Sequence, residues 1–366
     1  MLTLAEVTGY LLGRGLLSAE SVVHGDLAIR DASSRNRNFK VECSAGPSYL
    51  LKQGLGAEGS AMTAHEAHVY RLLSAGSGRL ARYLPHFFDY DVEQGILVIE
   101  LVSAGEDLRR YHLRHGRIPP PLAAAAGRAL GSLHRMTRRQ PEGVAYPEQA
   151  PWILTIHKPD IAIFREASSA SLELIKTVQA AGGLGQRLDE LRARWKVEAL
   201  IHYDVKWDNF IALEAAGPGK PARLKLVDWE SAMYGDPCWD IGSVFSHFLS
   251  LWLFSIPVTG QVPPERFPEL ARFPLGKMQP AIRRCWDAYV AEMGLSFEDS
   301  GRWLMRSVEL GAARLIQTAF EAAQMSTNLT SNLVLHLQLG LNMLQRPREA
   351  IVHLLGLPLP GVSAAS

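Results

Sequence analysis

The chain has 366 residues, 47% hydrophobic and 20% charged, with 38 basic and 37 acidic side chains giving a formal net charge of +1. That length can bury a large core in more than one lobe, and the balanced charge sets up no bulk field for nucleic acid or an anionic membrane. Cys43, Cys238 and Cys285 are scattered, with no Cys-x-x-Cys spacing, which argues against a disulfide framework or structural zinc and fits a reducing cytoplasm.

Met1-Leu-Thr-Leu-Ala-Glu has no basic region followed by a long apolar run, so no signal peptide is expected. Val22 to Arg30, Phe39 to Cys43 and Ser48 to Gln53 read as strands, and Ser60 to Ala75 as a helix. Gly95 to Val102 is a nearly continuous apolar run, the pattern of a strand buried on both faces, and Ser103-Ala-Gly105 breaks it. Strand signals then almost stop. Pro119-Pro-Pro121 precedes a helix over Leu122 to Arg138, and Ser168 to Ala181 and Leu184 to Trp195 give two more. A small β patch follows, Phe210 to Leu213 and Leu224 to Val227, split by Gly217-Pro-Gly219. From Ile241 onward the pattern is helix and loop, and Gly356 to Ser366 reads as a frayed tail. The apolar stretch Val244 to Ile256 falls short of the ~20 apolar residues of a membrane span. It also carries Ser246, His247, Ser250 and Ser255, so a buried helix is expected. The expected organisation is a β-rich lobe with its connecting strand over residues 1–102 and an α-rich lobe over 103–366.

The chemistry is concentrated in Ala199-Leu-Ile-His-Tyr-Asp-Val-Lys-Trp-Asp-Asn209 and Leu224-Lys-Leu-Val-Asp-Trp-Glu230. His202, Asp204 and Asn209 form His-x-Asp-x-x-x-x-Asn, and Asp228 ends a short strand. Phosphoryl transfer needs an aligned acceptor hydroxyl and cations on the developing phosphate charge. A carboxylate at Asp204 can orient the hydroxyl and accept its proton. A carboxylate and an amide oxygen, Asp228 and Asn209, suit Mg²⁺.

These motifs resemble the aminoglycoside phosphotransferase and choline kinase-like group, relatives of protein kinases, over roughly Val22 to Phe248. The resemblance implies an α+β, two-lobed, protein-kinase-like fold with a small β-rich lobe and a large α-rich one. It also implies ATP and Mg²⁺ as cofactors. The group's pattern is His-Gly-Asp; here Tyr203 replaces the glycine. Gly235-Asp-Pro-Cys-Trp-Asp240 matches the group's Gly-Asp-Pro-x-x-Asp, which implies that Asp240 braces the catalytic loop from within. His202 is expected to be structural.

On the nucleotide side, Lys52 is a charge inside the apolar strand Tyr49-Leu-Leu-Lys52, costly unless paired, and Glu66 on the next helix is the expected partner. Lys52 is assigned to the α- and β-phosphates and Glu66 to holding Lys52. The loop Asp31-Ala-Ser-Ser-Arg-Asn-Arg-Asn38 has no glycine; its N–H groups, hydroxyls and Arg35 or Arg37 are the candidate phosphate contacts. By resemblance, the backbone of Glu100 and Val102 would meet the adenine edge.

Lys206 is placed between the γ-phosphate and the acceptor oxygen. From Ile241 to the end, nine acids face ten bases, which gives no support to a polycation cage. Asp-Val-Lys-Trp-Asp-Asn (204–209) and Trp-Asp-Ile-Gly-Ser-Val-Phe (239–245) look similar to phosphotransferases of peptide natural-product pathways. There, phosphorylated Ser or Thr undergoes elimination, which brings in a lyase partner. The acceptor expected is therefore a Ser/Thr hydroxyl of a precursor peptide, with Arg283, Arg284, Arg302 and Arg306 to hold a mixed or acidic sequence; a small-molecule alcohol is the alternative. No nucleic acid or membrane partner is expected. A nucleotide-binding pseudokinase would be expected to have lost Asp204 or Asp228, and both are present.

Overall fold

A computed structural model describes residues 1–25, 27–33, 36–76, 78–138, 149–213, 222–257, 263–324 and 326–359. In chain order the strands are β1 (Leu27–Asp31), β2 (Arg37–Cys43), β3 (Tyr49–Gln53), β4 (Phe87–Asp91), β5 (Ile96–Glu100), β6 (Gly105–Asp107), β7 (Ala199–Ile201), β8 (Phe210–Leu213), β9 (Arg223–Leu226) and β10 (Met233–Gly235). The helices are α1 (Val7–Gly13), α2 (Ala19–Val23), α3 (Gly56–Ala75), α4 (Leu108–His115), α5 (Pro120–Thr137), α6 (Ile161–Glu166), α7 (Ser169–Ala180), α8 (Leu184–Ala193), α9 (Pro237–Phe254), α10 (Leu275–Met293), α11 (Phe297–Ala323) and α12 (Ser331–Gln345). The class is α+β, with antiparallel sheet in the N-terminal part and helices in the C-terminal part. The chain forms two compact units, Met1–Asp107 with Asn209–Ala232, and Leu108–Asp208 with Met233–Ser366.

In the first unit, β1-β2-β3-β5-β4 form an antiparallel sheet and β6-β8-β9 a smaller one. Alternation along the strands sends Phe39, Val41, Tyr49, Leu51, Ile96 and Val98 to one face, where Val7 and Leu11 of α1 complete a dry core. Lys52 and Leu50 lie on the other face, toward α3. Two N-terminal helices went unforeseen. Val22 and Val23, expected to open the first strand, instead close α2, whose Ser18 cap accepts from the Ser21 amide at 3.1 Å. Gly25 at φ 68° then turns the chain into β1. Gly54 lets β3 run into α3, because a Cβ there would lie 2.0 Å from the Gly59 carbonyl oxygen.

In the second unit, β7 pairs with β10, and α9 is buried along nearly its whole length, as its apolar sequence predicts. It crosses α11 where Gly242 meets Gly311; a Cβ on Gly311 would approach the Gly242 carbonyl to 2.7 Å. This close approach packs the helix carrying Asp240 against the one carrying Arg314. Among the described residues, no helix is long and apolar enough to cross a membrane. The three cysteines are free thiols.

Candidate active site

In the first unit, the β3 register places Lys52 opposite Asn38 on one side and Leu97 on the other. Its ammonium donates to Glu66 Oε1 and Oε2 at 2.9 and 3.0 Å and to Asp228 Oδ1 at 2.9 Å. Glu66 is 1% exposed and also accepts from the Trp229 amide at 3.3 Å. Burial opposes the lysine charge, but Glu66 and Asp228 outweigh it and raise its pKa above the ordinary lysine value. The charge foreseen inside an apolar strand is thus paired twice.

Asn209 and Asp228 lie at the two ends of one hairpin. β8 and β9 pair from Phe210–Leu226 outward, and the Val227 amide donates to the Asn209 carbonyl at 3.0 Å. The ladder therefore sets Asn209 beside the residue preceding Asp228. Asn209 is 4% exposed. Asp228 has φ 70° and begins a short 3₁₀ turn whose Trp229 is fully buried, with its indole N–H donating to the Leu226 carbonyl at 3.1 Å. Among the described residues, no group of three or more His, Cys, Asp or Glu side chains could hold a metal. One carboxylate and one amide oxygen still match the sparse protein ligation of Mg²⁺, which keeps waters and phosphate oxygens as its other ligands.

In the second unit, the loop after β7 is held by Asp240 of α9. Its Oδ2 accepts from the His202 amide at 2.7 Å and its Oδ1 from the Tyr203 amide at 3.0 Å. Both His202 and Asp240 are 0% exposed. Behind them, His134 on α5 contacts Asp240 Oδ2 through Nε2 at 3.1 Å and the Tyr289 hydroxyl through Nδ1 at 3.0 Å. The Trp239 indole donates to the Tyr203 carbonyl at 2.8 Å. These bonds hold Tyr203 at φ 69°.

Asp204 follows, its side chain 30% exposed, with Lys206 Nζ 2.5 Å from Oδ2 and Arg314 Nη2 3.7 Å from Oδ1. Arg314 is itself 3% exposed and donates to both Glu321 oxygens at 3.2 and 3.1 Å. His247 lies half-buried beside this group; desolvation first, then Arg314, Lys206 and Arg109, push its imidazole well below the usual histidine range, so it stays neutral. The sequence reading did not single out Arg314, His134 or the setting of His247. The cue for Arg314 was present, an arginine inside the apolar run Leu310-Gly-Ala-Ala-Arg-Leu-Ile316, the same kind of signal that marked Lys52.

Other expected residues are placed less tightly. Arg35 lies outside the described residues. Arg37 opens β2 opposite Gln53, so strand alternation turns it to the face opposite Lys52. In the adjoining turn, Asp31 accepts from the Ser33 amide at 2.8 Å and Ser33 from the Asn38 amide at 3.1 Å. Glu100 ends β5; its amide donates to the His86 carbonyl at 2.8 Å and its carboxylate pairs with Lys225 at 3.4 Å. Val102 follows the strand, half-buried. Of the arginines expected to hold a peptide, Arg302 pairs with Glu298 and Asp299, Arg306 with Asp236, and Arg283 donates to the Gly356 carbonyl at 2.7 Å. Near neighbours along α11 and at the start of α9 already occupy the first two.

The chain matches the family model described as the phosphotransferase enzyme family over residues 26–257. A protein from Thermobifida fusca assigned as a fructosamine-3-kinase is 17% identical with a TM-score of 0.50, covering 86% of this chain and 93% of that one. A choline/ethanolamine kinase family protein from Mesorhizobium loti is 16% identical with a TM-score of 0.46, covering 92% and 95%. The choline kinase LicA from Streptococcus pneumoniae is 15% identical with a TM-score of 0.45, covering 91% and 99%. No curated protein matches the chain.

Proposed function

The chain belongs to the phosphotransferase enzyme family, and from that premise we propose that it transfers the γ-phosphoryl group of ATP, with Mg²⁺, to an alcohol hydroxyl. Asp204 orients the hydroxyl and takes its proton as the new O–P bond forms and the bond to ADP breaks. Lys206 neutralises charge between the phosphoryl group and the acceptor oxygen. Asn209 and Asp228 would hold the metal, which would supply positive charge to offset that on the phosphate oxygens. Lys52, steadied by Glu66, meets the α- and β-phosphates. The observation that carries this reading is the Lys52 ammonium bonded at once to Glu66 and Asp228. The lysine–glutamate pair expected on the nucleotide side and the carboxylate expected for the metal meet at one atom, Lys52 Nζ. His202 and Asp240 support the loop, and the backbone of Glu100 and Val102 takes the adenine edge. With its free thiols, the enzyme would work in the cytoplasm.

For the acceptor, we propose Ser or Thr of a precursor peptide, with a lyase as downstream partner. This rests on the two Trp-containing motifs and on charge. Glu321, near Asp204, is already matched by Arg314, which makes it a weaker anchor for a polycation. A small-molecule alcohol is the second reading, favoured by the name of the Thermobifida fusca protein. The test is ATP consumption with mass spectrometry, using kanamycin, choline, a fructosamine and peptides encoded beside the gene. Phosphate on a peptide Ser or Thr supports the first reading. Transfer to a small molecule and no mass shift on any peptide selects the second. Nucleotide binding without any transfer would leave a binding module.

A further inference from the structure

Arg314 is a buried cation in an apolar stretch of α11, among Ala312, Ala313, Leu315 and Ile316, all buried too. Taking a guanidinium out of water is costly unless its charge is met, and two carboxylates meet this one. Nη1 donates to both oxygens of Glu321, at 3.2 and 3.1 Å, and Nη2 stands 3.7 Å from Asp204 Oδ1. Glu321 lies two turns further along the same face of α11, and the Gln317 side-chain amide donates to its Oε1 at 2.8 Å. Glu321 is therefore held by its own helix and in turn holds Arg314. The far side of the guanidinium reaches out of α11 to the catalytic loop. The crossing of Gly242 with Gly311 sets that reach, because Gly311 lies three residues before Arg314 and Gly242 two after Asp240. The backbone before Asp204 is thus fixed from α9, at His202 and Tyr203, and the Asp204 side chain is met from α11.

We propose that Arg314 is a positioning residue for the phosphoryl transfer: its guanidinium fixes the direction of the Asp204 carboxylate, and Glu321 fixes the guanidinium. The proposal deepens the reading of Asp204 as the base and rests on it. At 3.7 Å the contact with Asp204 is an ion pair too long for a hydrogen bond. It draws Oδ1 toward α11 without itself taking a lone pair there. Lys206 Nζ lies 2.5 Å from the other oxygen, Oδ2, so a cation at each oxygen resists rotation of the carboxylate. The shape of the guanidinium matters as much as its charge. A planar fork presents separate N–H groups to two carboxylates at once, whereas an ammonium is a single point charge. In the step itself the proton passes from the acceptor O–H to Asp204 as the new O–P bond forms and the bond to ADP breaks. Arg314 keeps its own protons throughout and acts through Asp204 alone.

The test is Mg-dependent hydrolysis of ATP by the full chain, water standing in for the acceptor hydroxyl. Arg314→Lys and Glu321→Gln are each made in the wild-type chain and in Asp204→Asn, with folding checked by circular dichroism. Glu321 is exposed, so its variant keeps the test open if the arginine variant fails to fold. In the wild-type background Arg314→Lys should lower kcat by roughly 10–100-fold and Glu321→Gln by roughly three- to tenfold, the scale of a misplaced catalytic group, with KM for ATP within about twofold. In Asp204→Asn both losses should shrink to about twofold or less, because the group through which they act is gone. A role in helix packing alone would slow both backgrounds equally. A second measurement needs no turnover: carbodiimide labelling of carboxylates, read by mass spectrometry. Labelling of Asp204 should rise in both variants, with Asp208, paired to Arg109, as the unchanged control. Wild-type kcat in folded Arg314→Lys, equal losses in the two backgrounds, or unchanged labelling of Asp204 overturns the proposal. Where hydrolysis is too slow to read, the labelling decides. Wild-type hydrolysis in Asp204→Asn sinks the reading of Asp204 as the base. A slowed Asp204→Asn beside an unaffected Arg314→Lys sinks this proposal alone.

Discussion

Tyr203 and Asp228, one in each compact unit, are the residues other than glycine with positive φ among those described, at 69° and 70°, and they are held in different ways. At Asp228 the side chain is fixed, with its carboxylate 2.9 Å from Lys52, and the backbone follows. Aspartate is among the few residues that visit this conformation readily. At Tyr203 the backbone is fixed from both sides, its amide by Asp240 and its carbonyl by Trp239, and the ring stacks on Trp239 at 5.9 Å. An aromatic residue has no such tolerance. Strain of this kind costs on the order of 1–3 kcal/mol and persists only where surroundings over-determine it. Asp240 is thus to the loop what Lys52 is to Asp228, the group that makes an unfavourable backbone stay.

The largest effects should separate chemistry from support. Asp204→Asn should lower turnover by about 10²–10⁴-fold, the usual worth of a positioned base, with Mg·ATP affinity by calorimetry little changed. Wild-type turnover would remove Asp204 from its role. Asp240→Ala should instead act on stability. It leaves two buried amides and His134 without their acceptor, so about 3–5 kcal/mol is expected from a denaturant midpoint. Asp228→Ala, at a site where the side chain is 32% exposed, should cost far less stability but abolish Mg-dependent nucleotide binding. If the two alanine variants were equally stable, the contrast between a backbone held from within and a side chain held at a site would fail.

A smaller effect sharpens the Lys52 side. Lys52→Ala and Glu66→Ala remove two ends of one contact. Their effects on kcat/KM for ATP should fall short of additivity by roughly 0.5–3 kcal/mol in a double-mutant cycle. Additive losses would mean that the pair seen at 2.9 Å does not act as a pair in turnover.

Sequence made legible what short spacing encodes. His202, Asp204 and Asn209 lie within one loop, Asp228 closes the next strand, and Lys52 announces itself as a charge in an apolar strand. Helix α5 begins at its Pro-rich signal, with Pro119 as N-cap. Arg314, His134 and Tyr289 were not legible, because their partners Asp204 and Asp240 are reached only through helix packing, and no local pattern records which face of α11 or α5 will meet the loop. The partners of Arg302 and Arg306, Glu298, Asp299 and Asp236, were not legible for a related reason. Counting charges along the chain does not say which are spent on neighbours. Helices α1 and α2 escaped because seven and five residues carry too little periodicity to compete with a strand reading.

The smallest expected effect tests the strain itself. In Tyr203→Gly the chain regains about 1–2 kcal/mol of backbone strain but loses a ring stack worth about 0.5–1.5 kcal/mol and gains unfolded-state freedom worth about 0.5–1 kcal/mol. The net change should be near zero. Tyr203→Ala loses the same ring and keeps the strain, so it should be less stable than Tyr203→Gly by about 1 kcal/mol. This reverses the usual order of alanine over glycine, and because both variants lack the ring, the comparison isolates the backbone. Chemical denaturation of the two variants decides it. If alanine proves the more stable, residue 203 is not held at positive φ in solution, and the brace from Asp240 and Trp239 does not do what its geometry implies.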